Sequence, residues 1–576
     1  MMVHEAHVPV PQTPPPDGLP QAAWITRLAE PLARPAAGGT GALAGLRFAV
    51  KDNIDAAGLP TTAACPAFAR MPAEDAEAVR RLVDAGALLL GKTNLDQFAC
   101  GLNGTRSPYG AVPNSFDARY VSGGSSSGSA YVVATGEVDF ALGTDTAGSG
   151  RVPAGLNNIV GIKPSRGLIS AFGVVPAAQS VDCVSIFART VDVAARVLQV
   201  AMGPDARDPY SRRLPLAAPA WPQRFRFGVP SLREFFGDKQ SEAAFTQAIA
   251  RLESLGGSAV PIDYAPLAEA AGLLYDSALV AERYAAVREF VDAHLNDIVE
   301  PVRGILMDGR HYSAADLVAA QTRLRALAQR AAPMWEQIDV LLVPTAPTHC
   351  TIAAMKAAPV ELNRRMGVYT NFVNLLDYAA ISVPSSLLGN GLPFGITLIG
   401  PCGSDFRLAA LGQRYHHATG LPQGATGEPL PPPAPLPALQ AAASVRVAVV
   451  GAHLSGMPLN GQLTERGAQL HLKTHTAPVY RLHALPGTVP PKPGLVRVAP
   501  GEGAAIAVEV WQMPLSNYGS FVALIPPPLG IGTLLLADGS AVQGFVCEAH
   551  ALAGAEDITH FGGWRNYIAS QKPVAA

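Results

Sequence analysis

Charge is the scarcest property of this 576-residue chain. Asp, Glu, Lys and Arg make up 15% of it, against about 25% in an average globular protein. The 43 basic and 45 acidic residues leave a net charge of −2. Such a chain has no overall field to gather nucleic-acid phosphates, and no basic run is interleaved with aromatics, so nucleic acid is excluded as a partner. Cysteine is also sparse. Cys65, Cys100, Cys183, Cys350, Cys402 and Cys547 are scattered without a CxxC pair. That argues against a disulfide framework or a zinc site and for reduced thiols in a cytoplasmic setting. None of the 13 histidines forms an HExxH. His416 and His417 are adjacent, and His471 and His475 are spaced to share a helix face; surface or core roles are expected for them rather than metal binding. Neither a metal nor an organic cofactor is called for.

Long apolar runs are missing as well. The best late stretch, 521–536, is broken by Pro526, Pro527 and Pro528, and none reaches the ~18 apolar residues of a membrane span. Met1–Pro20 is polar and proline-rich, without the apolar core of a signal peptide. A GxxxxGK[ST] phosphate loop is absent. No GxSxG lies in the strand–turn–helix setting of a nucleophile elbow.

What is present is apolar bulk, Gly and Pro. Hydrophobic residues are 49% of the chain, and Gly (56) and Pro (51) together are about a fifth, against about 12% on average. Residues 1–20 read as a loose tail. From there to Leu421, short apolar runs alternate with helix-like periods. Leu46–Ile54, Ala87–Leu90, Val138–Leu142, Phe225–Pro230, Ser258–Ile262, Val340–Pro344, Ala380–Pro384 and Phe394–Ile399 read as strands. Ala76–Ala85, Ser241–Leu255, Tyr275–Leu295 and Ala314–Ile338 read as helices. The alternation predicts an α/β domain over 21–421 with a buried central sheet. A proline-rich segment, 422–444, reads as a semi-rigid linker. Beyond it, 445–576 carries six strand-like runs, few helical signals, and enough length for a small β-rich domain.

Two Gly/Ser-rich segments stand out: Gly123-Gly124-Ser125-Ser126-Ser127-Gly128-Ser129 and Gly143-Thr144-Asp145-Thr146-Ala147-Gly148-Ser149-Gly150-Arg151. Either alone is as consistent with a linker or an anion-binding loop as with a catalytic site. Lys51 ends an apolar run in Ala49-Val50-Lys51-Asp52-Asn53. Together the three resemble the amidase signature family over residues 20–421, including the 24-residue spacing from Ser125 to Ser149. The resemblance implies an amidase signature fold, with a mixed sheet covered by helices. It also implies a Lys51–Ser125–Ser149 triad with a cis peptide bond before Ser125. The chemistry is coherent. A serine hydroxyl needs a base, and a lysine serves as one when burial strips its proton. A serine between them can accept one proton while donating another. Backbone N–H groups of Thr146, Ala147 and Gly148 are expected to hold the oxyanion. Many family members have Gly-Gly-Ser where this chain has Ala147-Gly148-Ser149.

Further stretches resemble the allophanate hydrolases of that family: 61–66, Gly101–Gly110, 146–153, and Tyr275 with Ala281-Glu282-Arg283-Tyr284. The resemblance implies that Tyr275 and Arg283 bind a substrate carboxylate, with Gly101 also lining the site. Eight residues is about two helical turns, so both are expected on one helix face. The alternative is a solvated Arg283 paired with Glu282 or Glu289. Gly451–Asn460, Glu509–Pro514 and Pro528–Gly532 are similar to the C-terminal domain of allophanate hydrolases, which is like gamma-glutamyl cyclotransferases in fold. His453 is the proton-transfer candidate there, against a merely packed histidine; Glu509 is a weaker one. The resemblance implies hydrolysis of allophanate to ammonia and carbon dioxide. It also implies a homodimer and a link to urea carboxylase or cyanuric acid degradation. The alternatives are another small-amide hydrolase, an amidotransferase A-type subunit, or a C-terminal block that serves only as an assembly module.

Overall fold

The computed structural model describes residues 21–33, 41–437 and 444–571. The expected tail, 1–20, lies outside the described residues, as do 438–443 of the linker and 572–576. Two compact units are separated between Ala438 and Leu439.

The first unit is built on an eleven-stranded sheet. Its strands are β1 (Trp24–Leu32), β2 (Arg47–Lys51), β3 (Leu88–Thr93), β4 (Phe140–Asp145), β5 (Val160–Lys163), β6 (Cys183–Ala188), β7 (Phe225–Pro230), β8 (Gly257–Ile262), β9 (Val340–Pro344), β10 (Ala379–Leu387) and β11 (Pro393–Gly400). They lie in the order β1-β3-β2-β4-β6-β5-β10-β11-β9-β7-β8. The β2–β3, β2–β4, β7–β8 and β7–β9 pairs are parallel; the rest are antiparallel. This is the mixed, helix-covered sheet that the family resemblance implies, in the α/β arrangement that the alternating pattern predicts. Its central strands are buried on both faces: all of β4, β6 and β9, and the Phe48–Lys51 stretch of β2. That is why they read as continuous apolar runs rather than alternating ones. The helix Ser127–Ala134 is buried along its whole length and packs on β4 and β6, so it shows no polar face in the sequence.

Two expected helices are broken. Tyr275–Leu295 divides into Ala265–Asp276, a single turn at Ala278–Val280, and Ala281–Ala293. Ser277 makes the break: its backbone is extended, and its hydroxyl accepts the Leu279 N–H, so its side chain offers the chain a competing cap. Ala314–Ile338 ends as one helix at Ala331 and resumes at Met334 after Pro333, which has no N–H to donate to a continuing helix. The proline-rich segment has no helix or strand through 428–437, yet it is anchored to the first unit. Gln413 donates to the Ala434 carbonyl at 2.8 Å, and the Ala434 N–H donates to Asp192 at 3.0 Å.

The second unit holds a five-stranded and a three-stranded sheet. Its strands are β12 (Ser444–Val449), β13 (Gln469–His475), β14 (Tyr480–Ala484), β15 (Pro493–Arg497), β16 (Ala507–Pro514), β17 (Leu529–Leu535), β18 (Ala541–Cys547) and β19 (Glu556–Asp557). Their orders are β13-β16-β12-β18-β17 and β15-β14-β19. One core, including Val447, Val449, Leu482, Val510, Phe521 and Trp564, joins them. His471 and His475 sit on the exposed edge strand β13, not on a helix. No His/Cys/Asp/Glu group able to hold a metal occurs among the described residues, and no described helix is long and apolar enough to cross a membrane.

Candidate active site

Parallel neighbours in a sheet end on the same edge, and ligands gather where such strands end. β2 ends at Lys51 and its parallel neighbour β4 at Asp145. Lys51 is wholly buried. Its Nζ donates to Ser125 Oγ and to Thr144 Oγ1, each at 2.7 Å. Burial outweighs the attraction of Asp96, Asp182 and Asp145 and lowers its pKa from 10.5 to about 7. A neutral amine is therefore well populated near pH 7.

Ser125 lies in the loop before the helix Ser127–Ala134, and the Gly124–Ser125 peptide is cis. A side chain at Gly124 would run into the Asp96 carboxylate and meet the Gly104 nitrogen at 2.6 Å, so only glycine fits there. Ser149 lies in the turn after β4, and its Oγ donates to the Gly101 carbonyl at 3.4 Å. No hydrogen bond joins Ser149 Oγ to Ser125 Oγ in this arrangement.

Three carboxylates shape the loops around Lys51. Asp96 accepts the N–H groups of Asn103, Gly104 and Arg106. Asp145 accepts those of Gly148 and Gly150, both at 2.9 Å, and forms a two-pronged pair with Arg151. Both partners are fully buried. Burial alone pushes the Asp145 carboxyl up, but Arg151, Lys163 and the loop N–H donors bring it below the usual range. Arg151 also donates to the Thr370 carbonyl and to Asn374. Asp182 accepts the Thr146 hydroxyl and the N–H groups of Ala177 and Ala178. Burial raises its carboxyl to about 6.

The Gly148 N–H, expected at the oxyanion, is therefore committed to Asp145 in this arrangement. The N–H groups of Thr146, Ala147 and Ser149 have no hydrogen-bond partner among the described residues. Sequence reasoning passed over the N–H of Ser149 itself, and over the Asp96, Asp145–Arg151 and Asp182 supports. Arg151 carried a signal: it is a lone cation in a Gly-rich segment of a charge-poor chain.

Tyr275 and Arg283 lie on different helices, and the geometry of one helix face does not apply to them. They nevertheless meet: Arg283 Nη2 donates to Tyr275 Oη at 3.2 Å, with the guanidinium 5.0 Å from the ring centre. Arg283 is only 2% exposed. Its Nε and Nη1 have no hydrogen-bond partner, and no ion pair joins it to Glu282 or Glu289 among the described residues. A buried cation with unused donors is costly unless something anionic meets it. Tyr275 packs on the apolar cluster containing Leu102 and Ala147, next to Gly101 and to the loop of Ser149.

Comparison with known proteins agrees with this geometry. The amidase family profile matches residues 21–409, and the profile of the allophanate hydrolase C-terminal domain matches 445–569. The chain belongs to the amidase family. A solved allophanate hydrolase of Kluyveromyces lactis is 43% identical, with a TM-score of 0.71 over 92% of this chain and 89% of that one. The urea amidolyase of Saccharomyces cerevisiae is 43% identical over 544 residues, 91% of this chain but 30% of that protein. The urea amidolyase of Lachancea kluyveri is 44% identical over 542 residues, with the same shares of the two chains covered. The chain thus spans under a third of the curated urea amidolyases it matches.

The second unit of the chain has a cavity of its own, of about 170 Å³, lined by His453, Gln462, Lys492, Leu529 and Phe545 among others. His453 stacks on Phe545 at 5.0 Å, and its Nε2 lies 2.9 Å from Gln462 Oε1. Burial and the nearby Lys492 hold its pKa below 6.5 against the pull of Gln462. Glu509 lies elsewhere. Its carboxylate accepts the N–H and hydroxyl of Ser455 and pairs with Arg565 at 3.1 Å.

Proposed function

We propose that this chain hydrolyses allophanate, the carboxylate of urea, through an acyl-enzyme. The observation that carries the reading is Arg283: a buried guanidinium with unused N–H donors, beside Tyr275 and near the Ser149 loop. A planar fork of donors suits a carboxylate, and allophanate carries one at a fixed distance from its amide. In the proposed reaction, Ser149 turns from Gly101 to Ser125 and gives up its proton as it attacks the terminal carbonyl. Ser125 passes its own proton to neutral Lys51. The N–H groups of Ala147 and Ser149, with Thr146, receive the oxyanion. The proton returns through Ser125 to the departing ammonia, and water, activated by the same pair, releases N-carboxycarbamate.

In the second unit, His453 and Lys492 suit a small dicarboxylate: Lys492 as fixed charge and His453 as proton-transfer group for its decarboxylation to carbamate. Carbamate then yields ammonia and carbon dioxide. The K. lactis allophanate hydrolase and the yeast urea amidolyases support this reading. So does the substrate's chemistry, since carboxylation of urea makes allophanate; degradation of cyanuric acid is the other source to test. A cytoplasmic homodimer belongs to the same proposal.

The test is product counting on allophanate. Wild type is expected to release two ammonia and two carbon dioxide per substrate, Ser149→Ala none. Arg283→Ala should weaken allophanate turnover about 100-fold or more while sparing a neutral amide, because it removes a charge-assisted pair of hydrogen bonds. Equal losses on both substrates would remove Arg283 from the site.

A further inference from the structure

Asp182 lies between the two halves of the site and belongs to neither in the scheme above. One oxygen of its carboxylate accepts the hydroxyl of Thr146, the first residue of the oxyanion loop. The other accepts the N–H groups of Ala177 and Ala178 at 2.8 and 3.1 Å. The strap it closes, 177–182, is also fastened to the helix of Arg283, because Ser180 Oγ donates to Glu282 at 2.9 Å. On its other side, Asn374 donates to the Val181 carbonyl at 3.0 Å and to the Asp145 carbonyl at 2.7 Å. The Asp182 charge acts on Lys51 and on Arg283 alike, raising the pKa of both. The other charged groups facing Lys51 are Asp96 and Asp145, the latter neutralised by Arg151.

We propose that Asp182 is a positioning residue that ties the carboxylate-binding helix to the oxyanion loop, holding Thr146 with one oxygen and the 177–182 strap with the other. The proposal rests on Arg283 as the carboxylate site only for the role of that helix; the hold on the oxyanion loop stands apart from any substrate. Three consequences follow. Loss of the Thr146 contact loosens the oxyanion loop for every amide. Loss of the Asp182 charge makes Lys51 easier to deprotonate. It also leaves Arg283 with more positive potential, which favours an anionic substrate over a neutral one.

The test compares Asp182→Asn and Thr146→Val with wild type, measuring kcat and KM from pH 5.5 to 9 on allophanate and on a neutral primary amide of similar size. Asp182→Asn, whose amide cannot accept from both the Thr146 hydroxyl and the N–H groups of Ala177 and Ala178, is expected to lower kcat about 10-fold on both substrates, with the acid limb of kcat/KM moved down by on the order of half a pH unit as the charge is lost. It is expected to lower KM for allophanate but not for the neutral amide. Thr146→Val is expected to lower kcat about 10-fold on both substrates without moving the limb, with Thr146→Ser restoring it. Wild-type kcat in Asp182→Asn, or in Thr146→Val, overturns the proposal. If Asp182→Asn fails to fold, the Thr146 pair decides: kcat rescue by Ser supports the tether, and equal kcat in Val and Ser refutes it. Should wild type not act on allophanate at all, the function proposed above fails while kcat on the neutral amide still tests Asp182.

Discussion

Replacing Lys51 by methionine separates catalysis from stability, because the proposed mechanism needs its amine while burial makes that amine a cost to folding. Its amine is wholly buried, and burial brings its pKa from 10.5 to about 7. At ~1.36 kcal/mol per pH unit, that difference is a cost to folding of about 5 kcal/mol. The sign follows from proton counting. Between pH 7 and 10.5 the unfolded chain holds a proton that the folded chain has released, so the stability contribution rises with pH across that window. Below pH 7 both states are protonated and the full cost applies; above 10.5 it vanishes. Methionine carries no such cost but leaves the Ser125 and Thr144 hydroxyls without their 2.7 Å partner, a loss of about 1 kcal/mol each. Lys51→Met is thus expected to be more stable than wild type by about 3 kcal/mol at pH 6 and less stable above pH 10. Urea unfolding of both proteins at several pH values measures the difference and cancels the other titrating groups. The same variant should lose at least 1,000-fold in kcat, and wild-type kcat/KM should fall tenfold per pH unit below about 7. Asp182, at about 6, titrates in the lower part of that limb. A stability difference that stays constant from pH 6 to 9 would refute the buried neutral amine, as would a flat kcat/KM over that range.

Gly148→Ala should cut kcat 100-fold or more while leaving the fold intact: its backbone sits at φ +141°, and the new methyl would run into the Thr370 hydroxyl. Thr370→Gly in the same chain, which also removes the Cβ 2.8 Å from that methyl, should recover part of the loss, and no recovery would place the defect elsewhere. Arg151→Met leaves the buried Asp145 unpaired and should cost about 3–5 kcal/mol in urea unfolding; a loss under 1 kcal/mol would show that the loop N–H groups suffice for Asp145. His453→Ala should slow carbon dioxide release relative to the first ammonia in stopped-flow measurements, and an unchanged ratio would leave the second cavity without a chemical role.

The chemistry of the chain was legible where it is written locally. The Gly/Ser loops around Ser125 and Ser149, and the apolar strand ending at Lys51, are short-range patterns, since a tight loop needs glycines at particular positions whatever lies beyond it. The buried strands could be read as apolar runs for the same reason, and the scarcity of charge matched a large sheet covered on both faces. Boundaries failed where one residue competes with the helix: Ser277 caps a new turn inside an apparent helix, which periodicity does not register.

Tertiary structure alone decided which groups meet. Lys51 reaches Ser125 across 74 residues and Thr144 across 93, because β2 and β4 pair in parallel and end together. By its residues alone Arg283 read as a solvated helix residue, and only the family resemblance made it a carboxylate binder; its burial and its vacant N–H donors belong to the fold. The depressed pKa of Lys51 and the strap closed by Asp182 likewise depend on how water is excluded and on where distant strands stop. Sequence determines which groups are available and which loops can carry them. Desolvation and long-range pairing, which no local pattern encodes, set their protonation and their reach.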